Sequence, residues 1–590
     1  MLRRLLLMGA VQGWWFWALW KSHELKTWPA TDPISGRAIL YLGLALPLAT
    51  YLTAGITALT QRRRIQLLAF VALLFPLLGA YSGWADNVAV NLLPTASLPP
   101  FARPSDLFAA GILGFVLVPL LAHFDASAKR WPYHELFETA WRNIILCTSA
   151  AALTSLFWMV LFAGSMLLGL IGLKFAFDLI KEPIFAIPVT GIAFGAAFAL
   201  ALERAEMLIA LRKFQLSLLA WLLPLLMGFI LVWVIALPLT GVESLFKTRS
   251  AAFILLWCTA LAISFVNAAY QDGQMAPPYN QRLRRLLAMA WVALPVVVAV
   301  AWWAMGLRIQ QHGWSEDRVW GIFVLLLTTL YVMGYAASSL RRDAWLGSIG
   351  ITNVWTAVVM SLGLLALLSP LADARRIAVD SQLQRLRKQA IAGDKFDFDY
   401  LRWQAGKYGQ QALNTLAAGI DHPDREVLAS KAKLLLAQQQ RYQSEAGIKS
   451  LTTAELKTRL RMLPATAEPS DALLKALQAG AKDWQLRQCF DTKSQCTVWL
   501  VDLDGDGAQE AVVFAKNAWG DSGGARVLQQ QGGGYHIVGS MQLPPGVPFS
   551  KRIEEIERGE FKIAAPSWSE IEISGQRLRV MPDNKPSQTP

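Results

Sequence analysis

The chain has 590 residues; 54% are hydrophobic, 16% are charged, and the formal net charge is +13. Apolar residues gathered into membrane-length stretches over the first ~370 positions exclude a wholly water-soluble protein. The excess positive charge falls largely in short loops between those stretches, where it marks topology, so it does not read as a nucleic-acid surface.

About eleven apolar stretches follow one another: residues 5–20, 38–59, 66–84, 107–124, 143–173, 184–202, 216–239, 251–269, 286–306, 319–337 and 352–371. A hydrocarbon core of about 30 Å asks for roughly 20 apolar residues per span, and lipid offers the backbone no partners, so the spans must be helices. The first stretch is short and carries Gln12. Its Trp14, Trp15, Trp17 and Trp20 suit a membrane interface, and no small-residue cleavage site follows, so it is expected to span rather than to serve as a signal peptide.

Basic residues set the expected orientation. Arg3 and Arg4 precede the first stretch, and Arg62, Arg63 and Arg64 separate the second from the third. Lys129, Arg130 and Arg142, then Arg204, Arg212 and Lys213, then Arg282, Arg284 and Arg285, then Arg341 and Arg342 recur at every second connection, while the alternate loops carry fewer. By the positive-inside rule the N-terminus is cytoplasmic, and an odd number of spans places everything after residue 371 outside.

Ionisable groups are nearly absent from the span centres, which weighs against ion-coupled transport. The polar residues there are Gln12, Thr148, Ser149, Ser155, Thr190, Thr259, Asn267, Thr328, Thr329, Asn353 and Ser361, expected to make helix–helix hydrogen bonds. Charge and aromatic groups collect instead at the outer ends of the spans: Trp28, Asp32, Trp84, Asp86, Glu182, His312, Trp314 and Glu316. Converging, they would form an outer-face cleft for a polar head group or envelope glycan; dispersed, they are an aromatic belt with solvated loops. The sequence holds no Walker phosphate loop, Rossmann glycine pattern, His-Glu-x-x-His motif or nucleophile elbow.

The composition then turns polar. Residues 373–484 read as a helical stalk and residues 485–582 as a small β-rich domain with Gly-rich turns, ending in a frayed tail at 583–590. Short strands are expected at 498–501, 511–514, 525–529, 535–538, 561–563, 571–573 and 578–580. Cys489 and Cys496, with six residues between them, suit a disulfide closing a small hairpin in an oxidising compartment. Cys147 and Cys258 lie within spans and read as small apolar residues.

One motif carries chemistry. From Asp502 to Glu510 the chain runs Asp-Leu-Asp-Gly-Asp-Gly-Ala-Gln-Glu. Asp502, Asp504 and Asp506 alternate, Gly505 and Gly507 allow sharp turning, and the Ala508 carbonyl and Glu510 can add oxygens. A hard cation such as Ca2+, which takes six to eight oxygens, fits that donor set in a structural role; the alternative is a solvated Asp/Gly turn. It is not an EF-hand, because Val513 stands where a bidentate Glu belongs. The loop resembles instead the calcium loops of extracellular β-repeat modules of the FG-GAP type.

Several blocks together carry a family resemblance: residues 28–33 (Trp-Pro-Ala-Thr-Asp-Pro), 188–191, 221–224, 267–273 (Asn-Ala-Ala-Tyr-Gln-Asp-Gly), 308–320 and 395–402. The chain resembles the bacterial domain-of-unknown-function 4153 family. The resemblance implies a multi-pass inner-membrane protein of Gram-negative type and brings no activity or catalytic residues. The expected fold is an α-helical polytopic bundle of about 11 transmembrane helices, with a C-terminal periplasmic α+β region ending in a small β-rich domain. Three functions compete: an envelope scaffold binding membrane lipid or a periplasmic or envelope protein partner; a transporter or flippase of an amphipathic envelope precursor; and a membrane-embedded transferase at the outer leaflet.

Overall fold

The computed structural model describes residues 2–86, 102–241, 251–273, 278–341, 347–391, 393, 396–438, 453–480, 483, 486–490, 496–516, 523–542, 549–563, 571–573 and 576–578. The chain divides into two compact units, Met1–Gln440 and Arg441–Pro590. The segment expected as a stalk, 373–484, is shared between them, and the tail at 583–590 lies outside the described residues.

The first unit is helical. Its elements are α1 (Leu2–Glu24), α2 (Pro33–Ala54), α3 (Gln61–Ala85), α4 (Pro104–Ala122), α5 (Tyr133–Leu170), α6 (Phe175–Lys181), α7 (Pro183–Glu203), α8 (Ala205–Thr240), α9 (Ala251–Tyr270), α10 (Gln281–His312), α11 (Glu316–Leu340) and α12 (Ile349–Leu367). Four shorter helices follow: α13 (Ala374–Arg387), α14 (Phe398–Trp403), α15 (Gly406–Ala418) and α16 (Arg425–Ala437). Among the described residues ten helices, α2 to α5 and α7 to α12, are long and apolar enough to cross a membrane. The eleventh expected span, α1, is helical over 23 residues but is not among those ten. Its basic ends, Gln12 and four tryptophans dilute its hydropathy.

Among the described residues, burial sorts most of the bundle into three larger apolar cores, with a small one joining α5, α8 and α9 through Phe137, Leu216 and Ala268. One joins α2, α3, α4 and α12 through Leu52, Val71, Leu113 and Leu364. A second joins α8 to α12 around Trp291 and Tyr335, both fully buried. The third holds α1 against α2, α5 and α7 through Leu5, Tyr51, Leu146 and Phe198. Small residues let α1 and α7 approach: a Cβ added at Gly191 would lie 2.3 Å from the Gly9 carbonyl oxygen, and one at Gly13 would lie 2.6 Å from Pro188 Cα. Both helices carry Gly-x-x-x-Gly (Gly9 with Gly13, Gly191 with Gly195), the pattern that lets helix backbones touch in lipid.

The hydroxyls inside the spans donate mostly within their own helix, and two also make the expected helix–helix bond: Thr190 accepts from the Trp158 indole N–H at 3.0 Å and Thr329 from that of Trp302 at 2.9 Å. Thr148, Ser155, Thr190, Thr259, Thr328 and Ser361 each donate to the carbonyl four residues earlier in their own helix. A short side chain finds that acceptor at no conformational expense, whereas a neighbouring helix is a residue's width away. The longer amides do cross: Gln12 donates to the Gly43 carbonyl at 3.4 Å. Asn353 donates to Asn267 at 2.6 Å and to the Tyr133 hydroxyl at 2.9 Å, and Tyr335 donates to Asn353 at 2.5 Å, tying α5, α9, α11 and α12 together.

The second unit is a mixed α+β fold. Its elements are α17 (Thr453–Arg459), β1 (Leu460–Leu463), α18 (Asp471–Ala479), a 3-10 turn (Leu486–Phe490), β2 (Cys496–Val501), β3 (Glu510–Lys516), β4 (Gly523–Gln531), β5 (Gly534–Gln542), α19 (Phe549–Glu557), β6 (Ile571–Ile573) and β7 (Gln576–Leu578). The main sheet runs β1-β2-β3-β4-β5, with β1 parallel to β2 and the other pairs antiparallel. Alternation divides its side chains between two cores. Val498, Ala511, Val513 and Leu528 face α18 and the 3-10 turn, while Val501, Val512, Phe514 and Ala525 face α19. A sheet covered on both faces explains why β2 and β3 are almost continuously apolar. The β4–β5 turn is made by Gly532 and Gly533 at φ +59° and +84°, the left-handed pair a tight hairpin requires.

One sequence expectation for this unit is corrected, and another is described only in part. Residues 561–563 form no strand; Phe561 instead sets its ring edge-on to Trp499 at 4.8 Å, so its apolar character serves packing. Of the strand expected at 578–580, only Leu578 is within β7, and 579–580 lie outside the described residues. Cys489 and Cys496 are joined as expected, with their Cα atoms 5.0 Å apart.

Candidate functional site

The end of the bundle at which α2 begins and α3 ends is built by close helix contact. A Cβ at Gly79 would lie 2.5 Å from the Arg37 carbonyl oxygen, and one at Gly83 would lie 2.2 Å from that of Pro33. Asp32 caps α2 by accepting from the Ile34 and Ser35 backbone N–H groups at 3.2 and 3.1 Å, so its position is fixed locally. The approach sets Arg37, one turn into α2, beside the last turn of α3. Arg37 donates to the Ser82 carbonyl at 2.8 Å, to the Ser82 hydroxyl at 3.0 Å and to Asp86 at 2.6 Å.

Asp86 is the hub. It also pairs with Arg375, at the start of α13, at 2.5 Å and with Arg103, before α4, at 3.3 Å. Arg103 continues to Glu316, the first residue of α11, at 3.2 Å, and donates to the Gln404 carbonyl. Arg375 holds Asp373 at 2.8 Å, and Tyr81 donates to Asp373 at 2.7 Å while hydrogen-bonding Tyr408 at 2.9 Å. Ser82 donates to the buried Asp106 at 3.1 Å. Three guanidinium groups and four carboxylates thus meet where five helices end, with Arg37, Asp106, Asp373 and Arg375 all buried. Burial opposes ionisation of Asp373, but its hydrogen bonds and charge pairing with Arg375, with the Tyr81 hydroxyl, outweigh that and hold its carboxyl below the usual carboxylate range.

Directly beside this cluster lies an apolar cavity of about 800 Å³, between α1, α2, α4 and α7. Phe16, Leu44, Leu48, Phe75, Phe108, Ile187 and Phe194 line it; Gln12, Tyr41, Tyr51 and Thr190 bring its few polar groups. Leu44 and Phe108 are exposed, which opens the cavity sideways. Tyr41, 2% exposed, lines both the cavity and the polar pocket formed by Ser82, Asp106, Glu316, Asp373 and Arg375. Tyr51 lies ten residues further along α2, about 15 Å at the helical rise. Its hydroxyl is buried and meets no partner among the described residues.

Of the residues singled out for an outer-face cleft, Asp86 and Glu316 meet through Arg103. Trp84 stacks near Tyr81 and lies under the Lys407 ammonium at 4.3 Å. Trp314 and His312 contribute backbone: the Trp314 N–H donates to Ser381, and Gln382 donates to the carbonyls of both. Trp28 is 66% exposed, and Glu182 lies exposed where α6 meets α7. The residues that complete the cluster, Arg37, Ser82, Asp106, Asp373 and Arg375, escaped sequence reasoning. Gly79 and Gly83, another Gly-x-x-x-Gly pair, were the available signal that the α3 terminus is pressed against a partner.

In the second unit, the 502–510 loop joins β2 to β3, whose last and first residues, Val501 and Glu510, stand opposite in register. Carboxylate oxygens of Asp502, Asp504 and Glu510 lie within 4.8 Å of one another. Asp506 is not in that group; it accepts from the Ala508 N–H at 2.7 Å.

No curated protein and no solved structure matches this chain. The family model described as Domain of unknown function (DUF4153) matches residues 37–416, which runs from within α2 to within α15 and takes in every charged residue of the polar cluster. The chain is thus a multi-pass helical membrane protein that belongs to the DUF4153 family.

Proposed function

We propose that the bundle binds an amphipathic envelope lipid, its tail in the apolar cavity and its polar head at the Asp86–Arg375 cluster, and that the protein works as a lipid-binding envelope scaffold. The observation that carries this reading is the position of Tyr41, which belongs to both the cavity and the polar pocket. An acyl chain gains from leaving neither water nor lipid alone but from filling a shaped cavity, where dispersion contacts and one or two hydrogen bonds select it. The unpartnered Tyr51 hydroxyl offers one donor at the far end. The loop charges support an inner-membrane placement with this cluster facing the periplasm.

Gly111 gives a direct test. It lines the cavity, and a Cβ there meets nothing within 4 Å, so the side chain of Gly111→Phe starts in open space at the cavity wall and should occupy part of it. Protein extracted in mild detergent is stripped of bulk lipid, and the retained lipid is identified by mass spectrometry. Wild type should retain a defined lipid near one per chain, and Gly111→Phe should lose it while keeping its thermal stability. Wild type carrying only the bulk mixture, or equal retention by the variant, would reject the reading.

A further inference from the structure

We infer that the β2–β3 loop of the second unit is a structural binding site for a calcium-sized divalent cation, held by Asp502, Asp504 and Glu510. Two observations carry this, and neither depends on what the membrane bundle binds.

The first is convergence at the right size. Oxygens bound to one ion can be no further apart than twice the metal–oxygen distance, about 4.6–5.2 Å for Ca2+ and about 4.0–4.2 Å for Mg2+. The three carboxylates have oxygens within 4.8 Å of one another, inside the calcium limit, and an irregular loop suits calcium's adaptable shell better than magnesium's near-ideal octahedron. Three carboxylates this close repel one another unless a cation lies among them.

The second is Glu510. It is only 3% exposed, unusual for a glutamate without a full set of partners. One of its oxygens, Oε2, accepts from the Leu503 N–H at 2.8 Å, which fixes the carboxylate over the loop between Asp502 and Asp504. The other, Oε1, is buried and meets no donor among the described residues. A buried carboxylate oxygen left bare is expensive, and a cation is the partner its neighbours are arranged to share. The loop backbone already orients Asp502: Gly505 and Gly507 donate to its two oxygens at 2.7 and 3.0 Å. Those two glycines adopt φ +81° and +87°, which keeps the loop tight enough to gather the three side chains. Water and backbone carbonyls would complete the shell.

The expected consequence is that calcium locks the β2–β3 hairpin, because Glu510 is both ligand and first residue of β3. Hydrogen exchange on the full-length, chelator-treated protein in detergent tests this. Calcium should slow exchange at least tenfold across residues 496–516, saturably, with magnesium much weaker at the same concentration. Glu510→Gln keeps the size and one acceptor for the Leu503 N–H but loses the charge, and should abolish the response; the more exposed Asp504→Asn, which leaves the buried side intact, should weaken it. Wild-type exchange unchanged by calcium, or a full response in Glu510→Gln, would overturn the site. Equal protection by magnesium would overturn the calcium-sized assignment. Lipid retention by the bundle is read separately, so either proposal can fail alone.

Discussion

Replacing Gly83 by alanine should break the packing that builds the polar cluster. The new Cβ would lie 2.2 Å from the Pro33 carbonyl oxygen, 2.7 Å from its carbon and 2.8 Å from Ile34 Cα. All three are backbone atoms, so no side chain can swing away. The shortest contact is about 0.8 Å below the 3.0 Å that real Cβ atoms keep, so α3 must retreat from α2 by that amount or more. Overpacking of this kind costs about 1–3 kcal/mol, and a gap of 0.5–1 Å forfeits a quarter to a half of each neighbouring dispersion contact. Alanine's helix propensity returns up to ~1 kcal/mol. The net expectation is a loss of about 1–2 kcal/mol. Gly164 is the control, since a Cβ there meets nothing within 4 Å and only the propensity gain remains. Thermal unfolding of the detergent-solubilised protein should therefore place Gly83→Ala below wild type and Gly164→Ala at or above it. A retreat of α3 should also lengthen the 2.6 Å Arg37–Asp86 pair. Equal melting of Gly83→Ala and wild type would refute the reasoning.

Two further outcomes follow from the same structure. Asp373 has a folded-state pKa below its usual 3.8, so its contribution is fully present above that value and lost as pH falls through the depressed folded value. Acid titration of stability should show wild type losing more than Asp373→Asn below about pH 4, and the variant should be about 1–3 kcal/mol less stable at pH 7, Arg375 keeping Asp86 as partner. Identical acid slopes would remove Asp373 from the network's energetics. The Cys489–Cys496 bridge closes a loop of sequence separation 7. Chain entropy assigns such a loop about 2–2.5 kcal/mol. Replacing both cysteines by alanine in the full chain should speed hydrogen exchange in β2 and β3 accordingly while leaving α2–α4 unchanged; unchanged exchange in those strands would contradict it.

Much of this architecture is local, and local features are legible. Each span announces itself because about twenty apolar residues must be consecutive, whatever their neighbours do. Val498–Val501 and Ala511–Phe514 read as strands through β-branched and aromatic content, and the Cys489–Cys496 spacing itself constrains the bridge. What the sequence left open was long-range pairing. The stretch 460–463 falls inside the segment read as a helical stalk, yet it forms β1, pairing in parallel with β2, 36 residues later. The segment 549–557 becomes a helix whose Phe549 and Ile553 cover a sheet face that exists only after β2, β3 and β4 have paired. The polar cluster follows the same rule. Asp86 and Glu316 were visible as charges near span ends. Which arginines would neutralise them depended on Gly79 and Gly83 bringing α2 against α3, and on the chain returning 289 residues later to set Arg375 against Asp86. Hydropathy determines which segments enter the membrane because transfer energy is a sum over single residues. Tertiary structure decides which side chains meet there, because an ion pair is a property of two positions and of the backbone packing that joins them.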